Sequence, residues 1–200
     1  MQPALKGTIV AILAMAVIVT ASNILVQVPF NTWLTWGAFT YPFAFLVTDL
    51  ANRLHGPATA RKVVLVGFAL AVLLSIWLAT PRIALASGTA FLVAQLLDVA
   101  VFDRLRRGSW WRAPAVSSLL GSAVDTALFF SLAFAPAFGF LGDDTGWAQE
   151  QVPLLGLGEP VAFWVSLALG DFLVKLALIA VALVPFRLVS RALTPPALGR

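Results

Sequence analysis

Four ionisable residues lie inside long apolar segments of this chain, namely Asp98, Asp125, Asp171 and Lys175. An aspartate at the centre of a membrane-spanning helix costs about 2.5 to 3.5 kcal/mol on insertion scales. Asp171 and Lys175 are four residues apart, so they can pair on one face of a helix. One lysine cannot neutralise three acids, so at least one carboxyl group must be protonated, hydrated or bound to a hydrogen-bond donor. We therefore expect these residues to line a substrate site.

Polar residues follow helical spacing around two of these acids. Gln95 lies about 60° from Asp98 around a helix, and Ser118 and Ser122 share a stripe with Asp125. Small residues in this stripe would also let another helix approach closely, so packing explains the two serines equally well. Packing does not explain Asp125.

A preceding segment combines aromatic and charged side chains at the same four-residue spacing. Tyr41 and Phe45 flank Pro42, and they either pack against other helices or form a surface on which a flat ligand stacks. Asp49 and Arg53 follow at the end of the segment and are expected to form a structural ion pair or a gate. Their spacing places both side chains on one helical face.

The first apolar segment carries two amides, Asn23 and Gln27, also on one helical face. Buried amides commonly form hydrogen bonds between membrane helices. Asn23 is therefore either a packing residue or a further contact to the substrate.

Composition places the chain among multi-pass membrane proteins. Of its 200 residues, 60% are hydrophobic and 11% are charged, and about 20 helical residues cross a hydrocarbon core. We predict an all-α polytopic membrane protein in which residues 1–200 form a single transmembrane domain. The chain has no cysteine, which excludes thiolate metal sites and cysteine nucleophiles, and we expect no cofactor. The six predicted spans are about 7–28, 33–53, 61–80, 83–103, 114–138 and 160–186.

The distribution of basic residues predicts the orientation of these spans. Cytoplasmic loops carry an excess of lysine and arginine. One predicted side has a single basic residue, Arg82, and the other has eleven, which predicts that both termini are cytoplasmic. Because these residues lie in short loops, the basic pI does not indicate nucleic-acid binding. The eleven are Lys6, Arg53, Arg61, Lys62, Arg104, Arg106, Arg107, Arg112, Arg187, Arg191 and Arg200.

Several short motifs, in this order between the six spans, resemble the queuosine precursor transporter family, a vitamin-uptake-transporter-like group. The resemblance covers about residues 20–186. Asn52 and the length of the fifth loop, about residues 139–159, depart from the family pattern. The motifs are Thr40-Tyr41-Pro42-Phe43, Thr48-Asp49-Leu50, Gln95-Leu96-Leu97-Asp98, Trp110-Trp111-Arg112-Ala113-Pro114, Ser118-Leu119-Leu120-Gly121, Val124-Asp125-Thr126 and Asp171-Phe172 with Lys175.

The resemblance implies uptake of the 7-deazaguanine bases preQ0 (7-cyano) and preQ1 (7-aminomethyl) across the bacterial inner membrane, for transfer-RNA modification. A guanine-like edge presents two adjacent N–H donors, which a carboxylate such as Asp125 or Asp98 can accept. Tyr41 or Phe45 would stack on the base, and Lys175, held by Asp171, would donate to its carbonyl or nitrile group. Further polar contacts are expected from Gln95, Ser118, Ser122 and Asn23.

Two other function classes are open. Six short spans of this size also resemble the substrate-capture subunit of an ATP-driven vitamin uptake complex. Because the sequence has no phosphate-binding loop of the Gly-x-x-x-x-Gly-Lys type, ATP drive would have to come from partner chains. An intramembrane aspartyl protease is a remote alternative, because Gly170-Asp171 partly matches that family's motif. We expect a transporter and no enzyme, with the lipid bilayer, a small-molecule base and a second copy of the chain as the partners to consider.

Overall fold

The computed structural model describes residues 3–25, 28, 30, 34–142 and 146–193, and helices dominate it. The α-helices are α1 (Pro3–Leu25), α2 (Gly37–Thr40), α3 (Phe43–His55), α4 (Pro57–Leu78), α5 (Pro81–Leu105), α6 (Arg112–Phe134) and α7 (Phe163–Leu193). Between α6 and α7 lie three 3-10 helices, Pro136–Leu141, Gly146–Gln149 and Leu154–Gly156, and an antiparallel strand pair, β1 (Gln151–Pro153) and β2 (Pro160–Ala162).

Five helices in the described part of the chain, α1, α4, α5, α6 and α7, are long and apolar enough to cross a membrane. Their outward faces expose large apolar side chains, including Val17 and Trp77 at 68% and 86% exposure. Contiguous apolar surface of this kind is typical of contact with lipid. The prediction of an all-α membrane protein is therefore confirmed.

The second predicted span, 33–53, falls on α2 and α3, and its start lies outside the described residues. Tyr41 and Pro42 keep helical backbone angles between the two helices. The amides of Ala44 and Phe45 bond to carbonyls three residues back instead of four. Proline has no amide hydrogen to continue an α-helical ladder, so this tightened turn joins α2 to α3.

Other helix ends differ from the predicted spans for local reasons. Helix α6 ends at Phe134, four residues before the predicted 138, because Ala135 has an extended backbone ahead of Pro136. Helix α7 continues through Pro185 to Leu193, beyond the predicted 186.

The packing core lies between α1, α3, α4 and α5, and it contains Met15, Val47, Val64 and Phe91. Gly67 permits the close approach of α1 to α4, since a Cβ atom there would lie 2.7 Å from Cγ of Met15. The most extensive helix pair is α5 with α6, and α7 packs against α6 and α3. The two helices that carry Asp98 and Asp125 are therefore neighbours, with α7 beside the second.

Arg82 anchors the end of α6. Its guanidinium donates to the carbonyl oxygens of Leu132 and Ala135 at 3.0 and 2.9 Å, and to that of Gly142 at 2.7 Å. Carbonyl groups in the last turn of a helix have no partner within the helix, and a buried arginine satisfies several at once. Arg82 is only 5% exposed, so its part in the structure goes beyond the loop charge counted for orientation.

Candidate functional site

Lys175 lies at the centre of a buried cluster of polar groups between α6 and α7. Its Nζ atom is 2.7 Å from Oδ2 of Asp125 and 2.5 Å from Oδ2 of Asp171. It also donates to Oγ1 of Thr126 at 2.9 Å, and that hydroxyl donates to Asp171 at 2.8 Å. The hydroxyl of Tyr41 donates to Oδ1 of Asp125 at 3.1 Å. We call these five residues the Lys175 cluster.

The sequence produces this cluster through two short spacings. Asp171 and Lys175 are one helical turn apart on α7, and Asp125 and Thr126 are adjacent on the facing side of α6. One ammonium and two carboxylates give the cluster a net charge of −1 when all three are ionised. Desolvating an ion costs several kcal/mol, and a buried pair is retained only when further hydrogen bonds satisfy it. Tyr41 and Thr126 supply those bonds.

A cavity of about 390 Å³ opens directly above the Lys175 cluster. Small-molecule sites commonly occupy about 300 to 1,000 Å³ and combine apolar walls with a few polar groups. Tyr41, Asp125, Asp171 and Lys175 line this cavity on its polar side. The remaining wall contains the polar residues Ser22, Asn23 and Ser87 and the aromatic residues Phe129, Phe130, Phe134 and Trp147.

The aromatic wall is held by contacts between its own rings. Phe129 and Phe130 meet edge to face with ring centroids 5.1 Å apart, and Phe134 meets Trp147 in the same way at 5.4 Å. Edge-to-face pairs of this kind contribute about 0.5 to 1.5 kcal/mol beyond their burial. The cavity therefore has the composition of a site for a flat, polar-edged molecule.

A second pair of acids, Asp49 and Asp98, is buried between α3, α5 and α6, away from this cavity. Asp49 accepts hydrogen bonds from the hydroxyls of Ser117 and Ser118, both at 3.2 Å. The Asp98 carboxyl lies within hydrogen-bonding reach of Asp49. Ser117 also lies near Asp98, but among the described residues neither oxygen of Asp98 accepts a well-formed hydrogen bond. We call Asp49 and Asp98 the carboxyl pair.

Unpartnered polar atoms surround the carboxyl pair. Nε2 of Gln95, Oγ of Ser122 and Oδ1 of Asn52 are fully buried, and within the described chain none has a hydrogen-bond partner. An unsatisfied buried polar group costs about 1 to 3 kcal/mol. Several unpartnered polar atoms in one region destabilise the fold unless water, a proton or an ion occupies that region.

The predicted site residues thus divide between two places. Asn23, Tyr41, Asp125, Asp171 and Lys175 line the large cavity. Gln95 instead accepts a hydrogen bond from Thr48 at 2.7 Å. Asp98 lies in the carboxyl pair. Phe45, Ser118 and Ser122 border a small void of about 20 Å³ beside Asp49.

The predicted ion pair between Asp49 and Arg53 does not form, although both residues are described. Arg53 donates to the carbonyl oxygen of Arg106 at 2.6 Å, which ties the end of α3 to the turn after α5. Asp49 turns to the serines of α6 instead. Four-residue spacing permits a pair on one helix, but here each side chain meets a better-placed partner on a neighbouring helix.

Sequence reasoning also missed several contacts at the candidate site. Thr126 follows Asp125 directly, yet its bridge between Asp171 and Lys175 depends on α6 facing α7. Trp147 reaches the cavity from a loop that the sequence predicts only as polar. The run Phe129-Phe130 beside an acidic stripe was the one available signal for the aromatic wall.

Comparison with known proteins gives consistent matches over most of the chain. The family described as putative vitamin uptake transporter matches residues 35–80 and 75–189. A probable queuosine precursor transporter of Haemophilus influenzae is 39% identical in an alignment over 169 residues that covers 66% of this chain and 71% of that protein. The queuosine precursor transporter of Escherichia coli is 41% identical in an alignment over 143 residues that covers 58% of this chain and 64% of that protein.

A more distant relative extends the match. A probable queuosine precursor transporter of Bacillus subtilis is 26% identical over 194 residues, covering 83% of this chain and 75% of that protein. No solved structure matches the chain significantly. Both the Lys175 cluster and the carboxyl pair lie within the residues that the family matches.

Proposed function

Since this chain belongs to the queuosine precursor transporter family, we propose that it imports preQ0 and preQ1 across the bacterial inner membrane. The observation that carries the proposal is the cavity of about 390 Å³ between membrane-type helices, with the Lys175 cluster on one side and aromatic rings on the other. The homologues' names support a transporter of queuosine precursors rather than an enzyme.

Asp171 is the best-placed acceptor for the guanine-like edge. Its side chain is 16% exposed, compared with 5% for Asp125. Lys175 and Thr126 both contact Oδ2, and no hydrogen bond from the described residues reaches Oδ1. A carboxylate can accept about four hydrogen bonds, so Asp171 can receive the ring N–H and the exocyclic amine. Asp125 has remaining lone pairs to assist.

The charge of the Lys175 cluster suits both bases. The three N–H donors of Lys175 already contact Asp125, Asp171 and Thr126, so Lys175 would donate to the carbonyl oxygen of a bound base only by exchanging one of these contacts. The net charge of −1 also favours the aminomethyl group of preQ1, which is an ammonium near neutral pH. The nitrile of preQ0 would instead accept a hydrogen bond from a donor such as Ser87 or Asn23, both of which line the cavity.

Aromatic contact comes from α6 in this proposal. Phe129 and Phe130 line the cavity, whereas Phe45 is 2% exposed and packs against Gly121. Tyr41 is occupied by its bond to Asp125, and its ring lies edge-on to Phe91 at 6.1 Å. The face of the base would therefore lie against Phe129 or Phe130. Tyr41 would hold the Asp125 carboxylate in place through its hydrogen bond.

The proposed membrane arrangement has six crossings with both termini in the cytoplasm. Helices α2 and α3 together supply the second crossing through the tight turn at Pro42. The arginine-rich turn after α5 is then cytoplasmic. The cavity lies toward the opposite end of α6, next to Trp147, so it would face the outside and receive the base from the periplasm.

Binding and transport by the purified chain test this function. Isothermal titration in lipid nanodiscs is expected to show binding of preQ0 and preQ1. Adenine is the matched control base, because it lacks the paired N–H donors of the guanine edge. Equal binding of adenine, or no binding of either precursor, would contradict the proposal.

Uptake separates a self-sufficient transporter from a capture subunit. Vesicles that contain this chain alone are expected to take up a labelled precursor. If the chain binds the base but needs ATP-hydrolysing partner chains for any uptake, the capture-subunit alternative holds instead.

A further inference from the structure

The carboxyl pair has a chemistry that the proposed base-binding site does not use. Asp49 and Asp98 are 2% and 0% exposed, and the side chains lie within hydrogen-bonding reach of one another. Two carboxylates in contact repel each other, and such a pair is stable only when one proton is shared between them. The hydroxyl of Ser117 lies near the Asp98 carboxyl as well as near Asp49, but within the described chain neither oxygen of Asp98 accepts a well-formed hydrogen bond. A proton shared with Asp49 would supply one.

Among the residues that the structure describes, no basic side chain forms an ion pair with Asp49 or Asp98. On α3, Arg53 donates to the carbonyl of Arg106, and on α5, Asp103 pairs with Arg106 at the surface. On α7, Lys175 is bound by Asp125 and Asp171. From α6, the groups that face the pair are the neutral hydroxyls of Ser117 and Ser118. Within the described residues, each charged group near the pair is therefore already engaged elsewhere.

A route for proton exchange adjoins the pair. The void of about 20 Å³ is lined by Asp49, Ser118 and Ser122, and about 10 to 15 Å³ is enough for one water molecule. Oγ of Ser122 and Nε2 of Gln95 are unpartnered and fully buried. A water in this void would connect Asp49 to Ser122, while its volume of about 20 Å³ leaves no room for a peptide or other large substrate.

The pair and the base cavity share two helices. Asp49 lies eight residues after Tyr41, about 12 Å along the helical backbone that leads from the turn at Pro42 into α3, at 1.5 Å per residue. Ser118 lies seven residues before Asp125, about 10 Å along α6. Phe45 and Gly121 fill the layer between them in close contact. Helix α5 carries Asp98 and also Ser87 and Ala90 of the cavity wall, so a change in the spacing of α3 and α5 at the pair would reach the cavity.

We propose that Asp49 and Asp98 share one exchangeable proton and that this proton is the ion coupled to uptake of the base. This proposal rests on the proposed transport function and adds its driving ion. In the protonated state, the O–H of one carboxyl group donates to the other and holds α3 against α5. Release of the proton to the cytoplasm leaves two carboxylates, whose repulsion separates the helices. One proton enters from the periplasmic side and leaves on the cytoplasmic side, so charge and atoms balance.

Infrared spectroscopy of the full chain in lipid vesicles tests the shared proton without any substrate. The wild-type protein near neutral pH is expected to show the C=O stretching band of a protonated carboxyl group, with a downshift in D2O. Asp98→Asn and Asp49→Asn are expected to lose this band. Asp103→Asn, which changes an exposed acid, is the matched control and should keep it.

Each other infrared outcome overturns the assignment. A wild-type protein without the band has no protonated carboxyl pair. A band that persists in the Asp49→Asn/Asp98→Asn double variant belongs to other residues. A band that is abolished when sodium chloride replaces choline chloride identifies a sodium site rather than a proton site.

Transport in vesicles tests the coupling. An inward proton gradient is expected to drive accumulation of labelled precursor by the wild-type chain. Asp98→Asn should lose this accumulation but keep base binding and exchange of labelled for unlabelled base at equilibrium. If accumulation by the wild type does not depend on the proton gradient, the proposed coupling is overturned and the transport function still stands. Absence of base binding in the wild type would instead overturn the proposed function. The infrared band would then still test whether Asp49 and Asp98 share a proton.

Discussion

The Lys175 cluster and the carboxyl pair both bury two aspartates among membrane helices, yet they neutralise them differently. Lys175 contacts Asp125 and Asp171 within 2.7 Å, and hydroxyl groups complete the network. Asp49 and Asp98 have serine hydroxyls on one side and form no ion pair with a basic residue in the described part of the chain. The first site opens into a cavity of about 390 Å³, whereas the second adjoins a void of about 20 Å³.

From the sequence, Asp98, Asp125 and Asp171 were all expected to line one substrate site. The difference in how the buried aspartates are neutralised suits the two sites to two different tasks. A cluster with a fixed internal cation can meet a ligand without changing its own protonation, so it suits recognition. A pair without a cation depends on a mobile proton, so it suits switching. In a low-dielectric interior, the identity of the neutralising group decides which task an aspartate can perform.

The largest effect is expected from Lys175→Met, which removes the cation and leaves Asp125 and Asp171 buried together. Breaking a buried ion pair by removing one partner typically costs about 3 to 5 kcal/mol, so the Tm in detergent should fall sharply and base binding should be lost. Lys62→Met, at an exposed position of α4, is the matched control. An unchanged Tm in Lys175→Met would show that Asp125 and Asp171 do not need Lys175 as their counterion. The Lys175 cluster would then be neutralised without a cation, as the carboxyl pair is.

Asp171→Asn should damage binding more than folding, because Lys175 keeps Asp125 as its partner. A hydrogen bond to a charged group contributes about 1.5 to 3 kcal/mol, so affinity for the precursors should fall by about 10- to 150-fold in isothermal titration. Asp103→Asn should bind normally. If Asp171→Asn instead lowers the folded fraction, and the protein that remains folded binds the precursors with full affinity, Asp171 is structural and the base binds elsewhere.

Gly121→Ala tests the packed layer between the two sites. An added Cβ would lie 2.6 Å from Cε1 of Phe45, and overpacking of this kind costs about 1 to 3 kcal/mol. Thermal melting should show the loss for Gly121→Ala and no change for Gly139→Ala, whose added Cβ would have no neighbour within 4 Å. Equal Tm values in both variants would mean that Phe45 can move aside and does not hold the sites apart.

The smallest effect on stability is expected from Asp98→Asn. Asparagine keeps the shape of the acid and supplies an N–H donor to Asp49 in place of the shared proton. The free energy of unfolding should change by less than about 1 kcal/mol, because the new N–H donor replaces the hydrogen bond of the shared proton and a single hydrogen bond contributes about 0.5 to 1.5 kcal/mol net. Chemical denaturation of Asp98→Asn and Lys175→Met under the same conditions measures the contrast. If Asp98→Asn lost as much free energy of unfolding as Lys175→Met, Asp98 would be a structural acid.

Much of the fold could be predicted from hydropathy, but the interior of the site could not. Asp171 and Lys175 were expected to pair because four residues make one helical turn, a constraint that lies within one helix. Asp49 was assigned to Arg53 by the same rule, and the structure pairs it with Ser117, Ser118 and Asp98 instead. Spacing along one helix cannot reveal a competing partner on another helix.

The sequence by itself determined that this is a membrane protein of apolar helices with buried acids, because segment length, apolar content and proline position are local properties. Only the tertiary structure decided that Lys175 serves Asp125 as well as Asp171, that Asp98 meets Asp49, and that Arg82 anchors the end of α6. The physical reason is that charges in hydrocarbon are neutralised by whatever group lies within a few ångströms. That distance is set by how helices far apart in the chain pack against each other.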